Sequence, residues 1–461
     1  MVPIGVTVPT TLATSLAVFV EWAKVNGATS YNLYWKSILP STSPSLSKAI
    51  ADTSDYELIA NVEDTGADEY TYNHTGRSNC TDDYYIVKPV NQVGQEGQDV
   101  QEVSASPRTE GVFDTDFGDA GIIIRNSVEG SFTDLAFLSD GSIVALMNAR
   151  VPDTNRLFKF GSDGTYIDNV DIDTELPRDV NALVVDSDDN IYVVNAPWMS
   201  ICKYNSDLHI VTSYGTNGCF DSGTGNANGY DIVMDSSGRI LVSGMGDHLS
   251  ANVLTVWRFT TAGALDATFD SDGEYSYATS SGNALLIDGD TIYVAGSYAP
   301  GFPAQFLLLA LNVINGAFID DYIEAPQGNN TFGSDIKTFS DGTLLITGTR
   351  GNPSAMALWN FDLDLGLIEL HSYNHTPGAG NGAGGNGLLM DCIGKPVVAG
   401  SDGTVLFPDF AVIRTDSEFN LDEFGNQDPV DGWFIYDYVG ERDIAYKVIE
   451  DEMGRLYVAG S

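Results

Sequence analysis

The chain has 461 residues, 43% of them hydrophobic and 11% aromatic, so it can bury a substantial core. Its 64 acidic and 21 basic residues give a formal net charge of -43, and such a surface repels phosphate backbones, which argues against nucleic acid as a partner. No apolar run approaches the roughly 20 residues that span a bilayer, which argues against membrane insertion.

Residues 1–108 predict a separate small β-sandwich of short strands. Apolar and polar residues alternate in these segments, as in strands with one buried face. The predicted strands are residues 17–22, 30–35, 56–62, 70–73, 84–90 and 100–104. Residues 104–111 are the predicted linker to the rest of the chain.

Several features of this first part resemble a fibronectin type III domain. Trp22 stands where that family buries a tryptophan of its second strand, residues 25–31 resemble the following turn, and residues 84–94 resemble strand F with its loop. The resemblance implies a sandwich with Trp22 in its core. Pro89, which removes a ladder donor, and a Ser/Pro-rich insertion at 39–47 depart from the pattern.

From residue 143 onward, an apolar segment that follows a tight turn recurs seven times. Its last residues are 147, 195, 244, 296, 348, 400 and 460, which are 48 to 60 residues apart. A first strand precedes each turn, and a third and a more polar fourth strand follow. A period of roughly 50 residues with no helical pattern predicts an all-β, seven-bladed propeller. The glycine-rich residues 378–387 lack the Lys-Ser/Thr of a phosphate loop and are interpreted as a flexible connection between blades.

In the third unit a strand at 256–259 precedes the sequence Gly263-Ala-Leu-Asp-Ala-Thr-Phe269. This segment resembles the delta-60 repeat of bacterial surface proteins, and residues 419–425 and 111–118 are similar copies. The resemblance covers residues 111–461 and implies a surface-displayed propeller. The seventh unit stops after its second strand, so residues 121–126 are expected to supply its outermost strand. The predicted propeller therefore spans 109–461 and is closed by the segment 111–126.

The acidic residues are dispersed among turns, where they either solubilise the surface or bind calcium. Calcium prefers six to eight hard oxygen ligands, which closely spaced carboxylates and carbonyls can supply. No EF-hand loop is complete and no other cofactor is indicated. The candidate triplets are Asp114, Asp116 and Asp119; Asp186, Asp188 and Asp189; and Asp266, Asp270 and Asp272.

Four cysteines in a chain of this size do not form a disulfide scaffold. Cys202 and Cys219 are expected at the same end of the second blade, so they form either a disulfide or two free thiols. Cys80 and Cys392 have no partner nearby in the sequence.

Catalytic motifs are absent from the sequence: it has no G-x-S-x-G, H-E-x-x-H or Cys-x-x-Cys. No catalytic residue is predicted, although carboxylate pairs suited to glycoside hydrolysis stay open, because only their separation in space distinguishes them. Trp198 lies in a predicted loop between the second and third strands, where its ring could stack on a sugar.

Two functions follow. The favoured one is a non-catalytic structural or adhesive protein, extracellular and displayed on a cell surface or as a virion fibre or capsid component. Its expected partner is a surface glycan or protein, with assembly into a larger surface structure or virion. Met1–Thr11 has no basic region before its apolar residues, so no secretory signal is predicted there. The alternative is a glycan-acting enzyme with a carboxylate pair in the central funnel.

Overall fold

A computed structural model gives an all-β chain, with thirty-three strands and no helix among the residues it describes. None of these residues therefore forms a helix long and apolar enough to cross a bilayer. The structure describes residues 10–14, 17–38, 55–78, 80–97, 102–105, 113–124, 130–149, 154–176, 179–222, 227–248, 251–339, 341–351, 354–374, 383–403, 408–422, 432–436 and 442–461.

The strands fall into two units. The first consists of residues 1–111 with 391–393 and 450–456, and the second of residues 112–390, 394–449 and 457–461.

The first unit contains two antiparallel sheets that share one hydrophobic core. The strands are β1 (Thr10–Thr14), β2 (Ala17–Ala23), β3 (Ser30–Ile38), β4 (Glu57–Glu63), β5 (Glu69–Thr75), β6 (Asp82–Val90) and β7 (Glu102–Ala105). One sheet has the order β1-β2-β5 and the other β4-β3-β6-β7. Trp22 is buried between Tyr31 and Tyr70, with ring centroids 5.6 and 6.1 Å away. Trp22 is thus a core residue of this unit.

The second unit is a β-propeller of about seven blades. Its strands follow one another in chain order, and the inner strand of each four-stranded blade packs against that of the next. The first three blades are β8 (Gly130–Phe137), β9 (Ile143–Ala149), β10 (Arg156–Phe160), β11 (Tyr166–Asp171); β12 (Asp179–Val185), β13 (Ile191–Ala196), β14 (Ser200–Tyr204), β15 (Cys219–Asp221); and β16 (Asn228–Met234), β17 (Ile240–His248), β18 (Ala251–Phe259), β19 (Glu274–Tyr277).

The next three blades are also four-stranded antiparallel sheets, and the last sheet has two strands in the described residues. They are β20 (Ser280–Asp288), β21 (Thr291–Tyr298), β22 (Gln305–Asn312), β23 (Phe318–Ile323); β24 (Phe332–Thr338), β25 (Leu344–Arg350), β26 (Ala355–Phe361), β27 (Leu367–Tyr373); β28 (Gly384–Met390), β29 (Pro396–Gly403), β30 (Pro408–Arg414), β31 (Trp433–Tyr436); and β32 (Ala445–Glu450), β33 (Leu456–Gly460).

Apolar second and third strands fill the space between neighbouring blades. Trp359 on β26, for example, is fully buried and stacks on Phe306 of β22 at 4.4 Å between ring centroids. Because all strands within a blade alternate in direction, the hairpin turns between first and second and between third and fourth strands lie at one end, the turn end. The loops between second and third strands lie at the opposite end, the loop end.

The last sheet packs against the first blade. Tyr457 on β33 contacts Phe137 of β8 and Phe117, with ring centroids 5.3 and 5.2 Å away. Phe117 belongs to residues 113–124, which form turns and add no strand to the last sheet. Of the segment 121–126 that was predicted to add such a strand, residues 125 and 126 lie outside the described part, so closure by strand pairing stays a prediction.

The glycine-rich segment is not a connection throughout its length. Residues 375–382 lie outside the described part, but Gly384–Met390 forms the inner strand β28. A Cβ atom on Gly385 would lie 2.1 Å from Thr347 Oγ1, and one on Gly387 would lie 2.8 Å from the Tyr446 carbonyl oxygen. These glycines therefore permit close approach between inner strands, and the interpretation as a flexible connection was wrong for residues 384–387.

Candidate functional site

The inner strands of the first six blades share a β-bulge near their start, where the pairing with the second strand shifts by one residue. A bulge redirects a side chain and leaves one residue out of the ladder. The unpaired residues are Thr133, Asn181, Tyr230, Asn283, Ser334 and Asn386. The residue at the bulge and the one after it make the contacts between blades at the centre of the ring.

In the first, third and fifth blades the residue after the bulge is an aspartate. Asp134 accepts hydrogen bonds from its neighbour Leu135 N–H and from Leu183 N–H of the second blade, at 2.9 and 2.8 Å. Asp231 and Asp335 repeat this arrangement, each with the next blade. Both oxygens of each carboxylate are thus engaged with the backbone, and each aspartate fixes one blade to the next.

In the second, fourth and sixth blades the residue at the bulge is an asparagine. Its side-chain amide donates to a backbone carbonyl of the next blade: Asn181 to Gly229 at 2.6 Å, Asn283 to Gly333 at 2.8 Å and Asn386 to Ala445 at 2.8 Å. Aspartate and asparagine therefore alternate around the ring. Every step from the first to the seventh blade has one such hydrogen-bonded clasp.

The step from the seventh blade back to the first is an ion pair. Lys447 on β32 lies 3.1 Å from Asp134, and Lys337 on β24 lies 2.7 Å from Asp335. Burial alone would lower the pKa of Lys447, but the carboxylates of Asp134, Asp335 and Asp231 raise it above its ordinary value. The central charge cluster, defined as Asp134, Asp231, Asp335, Lys337 and Lys447, thus unites four blades electrostatically.

Asp231 differs from the other two aspartates because it forms no ion pair within the described residues. Burial raises its pKa to about 6, although Lys447 acts in the opposite direction. Burial also acts to raise the pKa of Asp335, but Lys337 and Lys447 hold it below its ordinary value. Burial and the lysines thus shift the pKa values of Asp231 and Asp335 in opposite directions.

The aspartate of the third unit's repeat, Asp266, is engaged by arginine. The Arg258 guanidinium is fully buried and donates to Asp266 at 2.9 Å, to Thr268 Oγ1 at 2.8 Å and to the Val313 and Ile314 carbonyls of the fourth blade. Burial and then the carboxylate of Asp272 raise the pKa of Asp270.

The structure does not bring the calcium triplets together as three carboxylates. Among the described residues, the one group of three potential metal ligands with all its atoms within 4.8 Å is Cys80, Cys392 and Glu450, and its two sulfurs are already bonded to each other. Asp114 accepts the Asp116 N–H. Asp119 forms a backbone bridge with Ile122. Asp186 accepts hydrogen bonds from the N–H groups of Asp188 and Asn190. Asp189 accepts a hydrogen bond from the Ser139 N–H. Calcium binding stays a prediction. Its ligands would be at most two carboxylates of a triplet together with carbonyl oxygens.

All four cysteines are in disulfides. Cys202 and Cys219 lie directly opposite each other on β14 and β15, and Cys219 is on the fourth strand itself, not in a loop after it as predicted. Cys80 is bonded to Cys392, 312 residues away, and both belong to the first unit. Fully paired cysteines indicate an oxidising, extracellular location.

Two aromatic side chains are exposed on corresponding loops at the loop end. Trp198 lies between β13 and β14 with 41% of its surface exposed, and Phe302 lies between β21 and β22 with 80% exposed. Each of these loops forms a hydrogen bond with the connection to the next blade. Met199 N–H donates to the Ala227 carbonyl and Ala304 N–H to Asn330 Oδ1, both at the connections between blades. Phe302 was not singled out from the sequence.

No protein-family model and no curated protein matches the chain. Among solved structures, the extracellular domain of BT3049 from B. thetaiotaomicron is 10% identical with a TM-score of 0.45, covering 82% of this chain and 42% of that one. Virginiamycin B lyase from Staphylococcus aureus is 12% identical with a TM-score of 0.41, covering 73% and 96%. Chaetomium thermophilum Sqt1 is 10% identical with a TM-score of 0.41, covering 82% and 86%. This chain spans less than half of the BT3049 chain, and likenesses this weak carry no argument about activity.

Proposed function

We propose that the protein is a non-catalytic binding or display platform on a cell or virion surface, and that the loop end of the propeller binds surface glycans. The observation that carries this proposal is the pair Trp198 and Phe302, exposed on corresponding loops of a ring whose blades are fixed to one another. An exposed ring on a rigid loop offers a face on which a sugar can stack. The central carboxylates meanwhile have both oxygens engaged with backbone N–H groups.

The two units take different roles in this proposal. The first is a fibronectin type III-like spacer, supported by its sheet orders β1-β2-β5 and β4-β3-β6-β7 around Trp22. The second is a propeller of delta-60-like repeats. Its third and sixth blades support this reading, because Arg258 pairs with Asp266 and Arg414 pairs with Asp422 at equivalent positions.

The test is a glycan array probed with the purified chain and with the variants Trp198→Ala and Phe302→Ala. Each variant is expected to bind the glycans recognised by the unmodified chain about three- to tenfold more weakly, which corresponds to the loss of one aromatic contact. Phe318→Ala is the matched control, since it removes an exposed aromatic ring at the turn end and should leave glycan binding unchanged. Absence of binding by the unmodified chain to any glycan or host surface would contradict the proposal.

One observation favours the alternative, a glycan-acting enzyme. Asp231 has no lysine partner in the described residues, and its pKa of about 6 suits a general acid near neutral pH. Release of reducing sugar from a polysaccharide, abolished by Asp231→Asn, would establish the enzyme and overturn the platform. We expect no turnover, because each oxygen of Asp231 already accepts a backbone hydrogen bond.

A further inference from the structure

Exposed apolar side chains are frequent on the outermost strands of two neighbouring blades, the fourth and the fifth. Fourteen large apolar side chains of the described residues are exposed, and six of them lie on or beside the outermost strands β23 and β27 of the fourth and fifth blades. These six are Ile314, Phe318, Ile319, Leu363, Leu367 and Ile368. Exposed apolar surface concentrated in this way marks an interaction site more often than isolated exposed residues do.

A groove of about 420 Å³ opens beside these residues, between the fourth and fifth blades. Its floor includes Tyr293 and Leu365, and the Tyr293 hydroxyl donates to the Leu363 carbonyl across the two blades at 3.2 Å. This hydrogen bond joins the two walls of the groove. Ile319 and Leu363 continue the apolar patch into it.

The charged residues that line the groove are all acidic: Asp288, Asp320 and Asp364. None of the three forms an ion pair within the described residues. Asp288 and Asp364 both raise the pKa of the Tyr293 hydroxyl, after the larger effect of burial, so their negative potential reaches the floor. The groove therefore favours a ligand that carries a positive charge. The exposed apolar side chains beside it favour a ligand that also has apolar groups.

The adjoining strand β23 is the outer edge of its sheet and pairs with β22 alone. An unprotected edge with exposed apolar residues is a template for an added strand. Charged residues, proline or a bulge usually protect such an edge. β23 has no lysine or proline, and its charged residues, Asp320 and Asp321, disfavour pairing with an acidic strand but not with a basic one.

We propose that this groove and the β23 edge bind an extended polypeptide segment of a partner protein in which basic and apolar residues alternate. A lysine or arginine side chain enters between Asp288, Asp320 and Asp364, while apolar residues of the segment cover Ile319 and Leu363. A second copy of this chain is a poor occupant, because two molecules with a net charge of -43 repel each other. This site lies at the turn end and is independent of the proposed glycan site.

The propeller supplies its own matched control. In the first blade, Tyr166, Ile167 and Asp168 on the outermost strand β11 correspond to Phe318, Ile319 and Asp320 on β23, and Ile167 is as exposed as Ile319. The groove described above, however, belongs to the fourth and fifth blades.

The experiment measures fluorescence anisotropy of a fluorescein-labelled heptapeptide of alternating arginine and leucine, at low ionic strength. We expect Ile319→Asn/Asp320→Asn to weaken binding about tenfold or more, and Ile167→Asn/Asp168→Asn to weaken it less than about twofold. All four positions are at exposed strand edges, so both variants should fold, and circular dichroism checks that they do. A peptide with citrulline in place of arginine should bind at least about tenfold more weakly, because it lacks the charge.

Equal losses from both variants, equal binding of the citrulline peptide, or no binding of the arginine peptide would overturn the proposal. Sedimentation of the unmodified chain as a dimer that Ile319→Asn/Asp320→Asn converts to a monomer would also overturn it, since the occupant would then be a second copy.

Discussion

Arg258→Met should be among the most destabilising single changes in the propeller. Arg258 is fully buried, and its guanidinium pairs with Asp266 at 2.9 Å while it also donates to Thr268 and to two carbonyls of the next blade. Methionine removes the guanidinium, which lies over the Phe269 ring, and leaves the buried Asp266 carboxylate without its nearest partner. Breaking one side of a buried pair costs about 3 to 5 kcal/mol, so we expect a loss of that size.

Urea denaturation followed by near-ultraviolet circular dichroism measures this loss, because the unfolding free energy falls linearly with urea. Arg239→Ala is the matched control. Arg239 also faces Asp266, at 3.5 Å, and pairs with Asp235 at 2.6 Å, but its side chain is 28% exposed and reaches water, so its removal should cost clearly less than the loss of Arg258. Arg258→Met/Asp266→Asn should be more stable than Arg258→Met alone, because no unpaired charge remains. A loss below about 1 kcal/mol for Arg258→Met, or no recovery in the double variant, would refute the reasoning.

Three other changes test other parts of the structure. Trp22→Ala should cost about 3 to 5 kcal/mol and raise hydrogen exchange in the first unit but not in the blades; unchanged exchange there would contradict its core role. Replacing Cys202 and Cys219 by alanine opens a link of 17 residues and should destabilise the propeller by about 3 kcal/mol, and an unchanged thermal midpoint would count against this. Burial raises the folded-state pKa of Asp231 to about 6, so its favourable contribution is complete below about pH 4 and is lost as the pH rises through 6. The unmodified chain should therefore lose stability relative to Asp231→Asn between pH 4 and 7, and a constant difference would contradict the raised pKa.

The second strands of the blades could be predicted from the sequence for a physical reason. They are buried on both faces, so they appear as short uninterrupted apolar runs, and each follows a turn whose glycine or aspartate adopts a positive φ, such as Gly141 and Asp189. Leu344, Leu345 and Ile346, for example, are all fully buried. The repeat period and the blade order follow from these runs alone.

The central clasps could not be predicted in the same way. Their residues alternate between blades, so neighbouring repeats do not match at these positions, and a search for self-similarity passes over them. Only the register of inner and second strands aligns Asp134 with Asp231 and Asp335. Once the strands are aligned, comparing every second blade reveals the pattern.

Two other features could not be predicted from the sequence, one because its residues are far apart in the chain and one because its pattern is ambiguous. Cys80 and Cys392 are 312 residues apart, so their bond follows only from the folded chain. The acidic residues of the turns are close together in the sequence, but their role is ambiguous. A carboxylate that closes a turn and a carboxylate that binds calcium occur in the same sequence patterns. Asp186, for example, accepts two backbone N–H groups of its own turn. Contacts, and not spacing, distinguish these two roles.

The use of the positive charges constrains the partners of this protein. Of its 21 basic residues, at least 14 form ion pairs with carboxylates, including Arg258, Arg414 and Lys447 within the propeller. Most positive charge thus stabilises the fold and is not available to attract anions. A partner must then be neutral, as many glycans are, or basic, as the proposed peptide is. Binding of the basic peptide should weaken as salt is added, whereas stacking of a neutral sugar on Trp198 or Phe302 should change little. Salt dependence therefore separates the two proposed sites without any substitution.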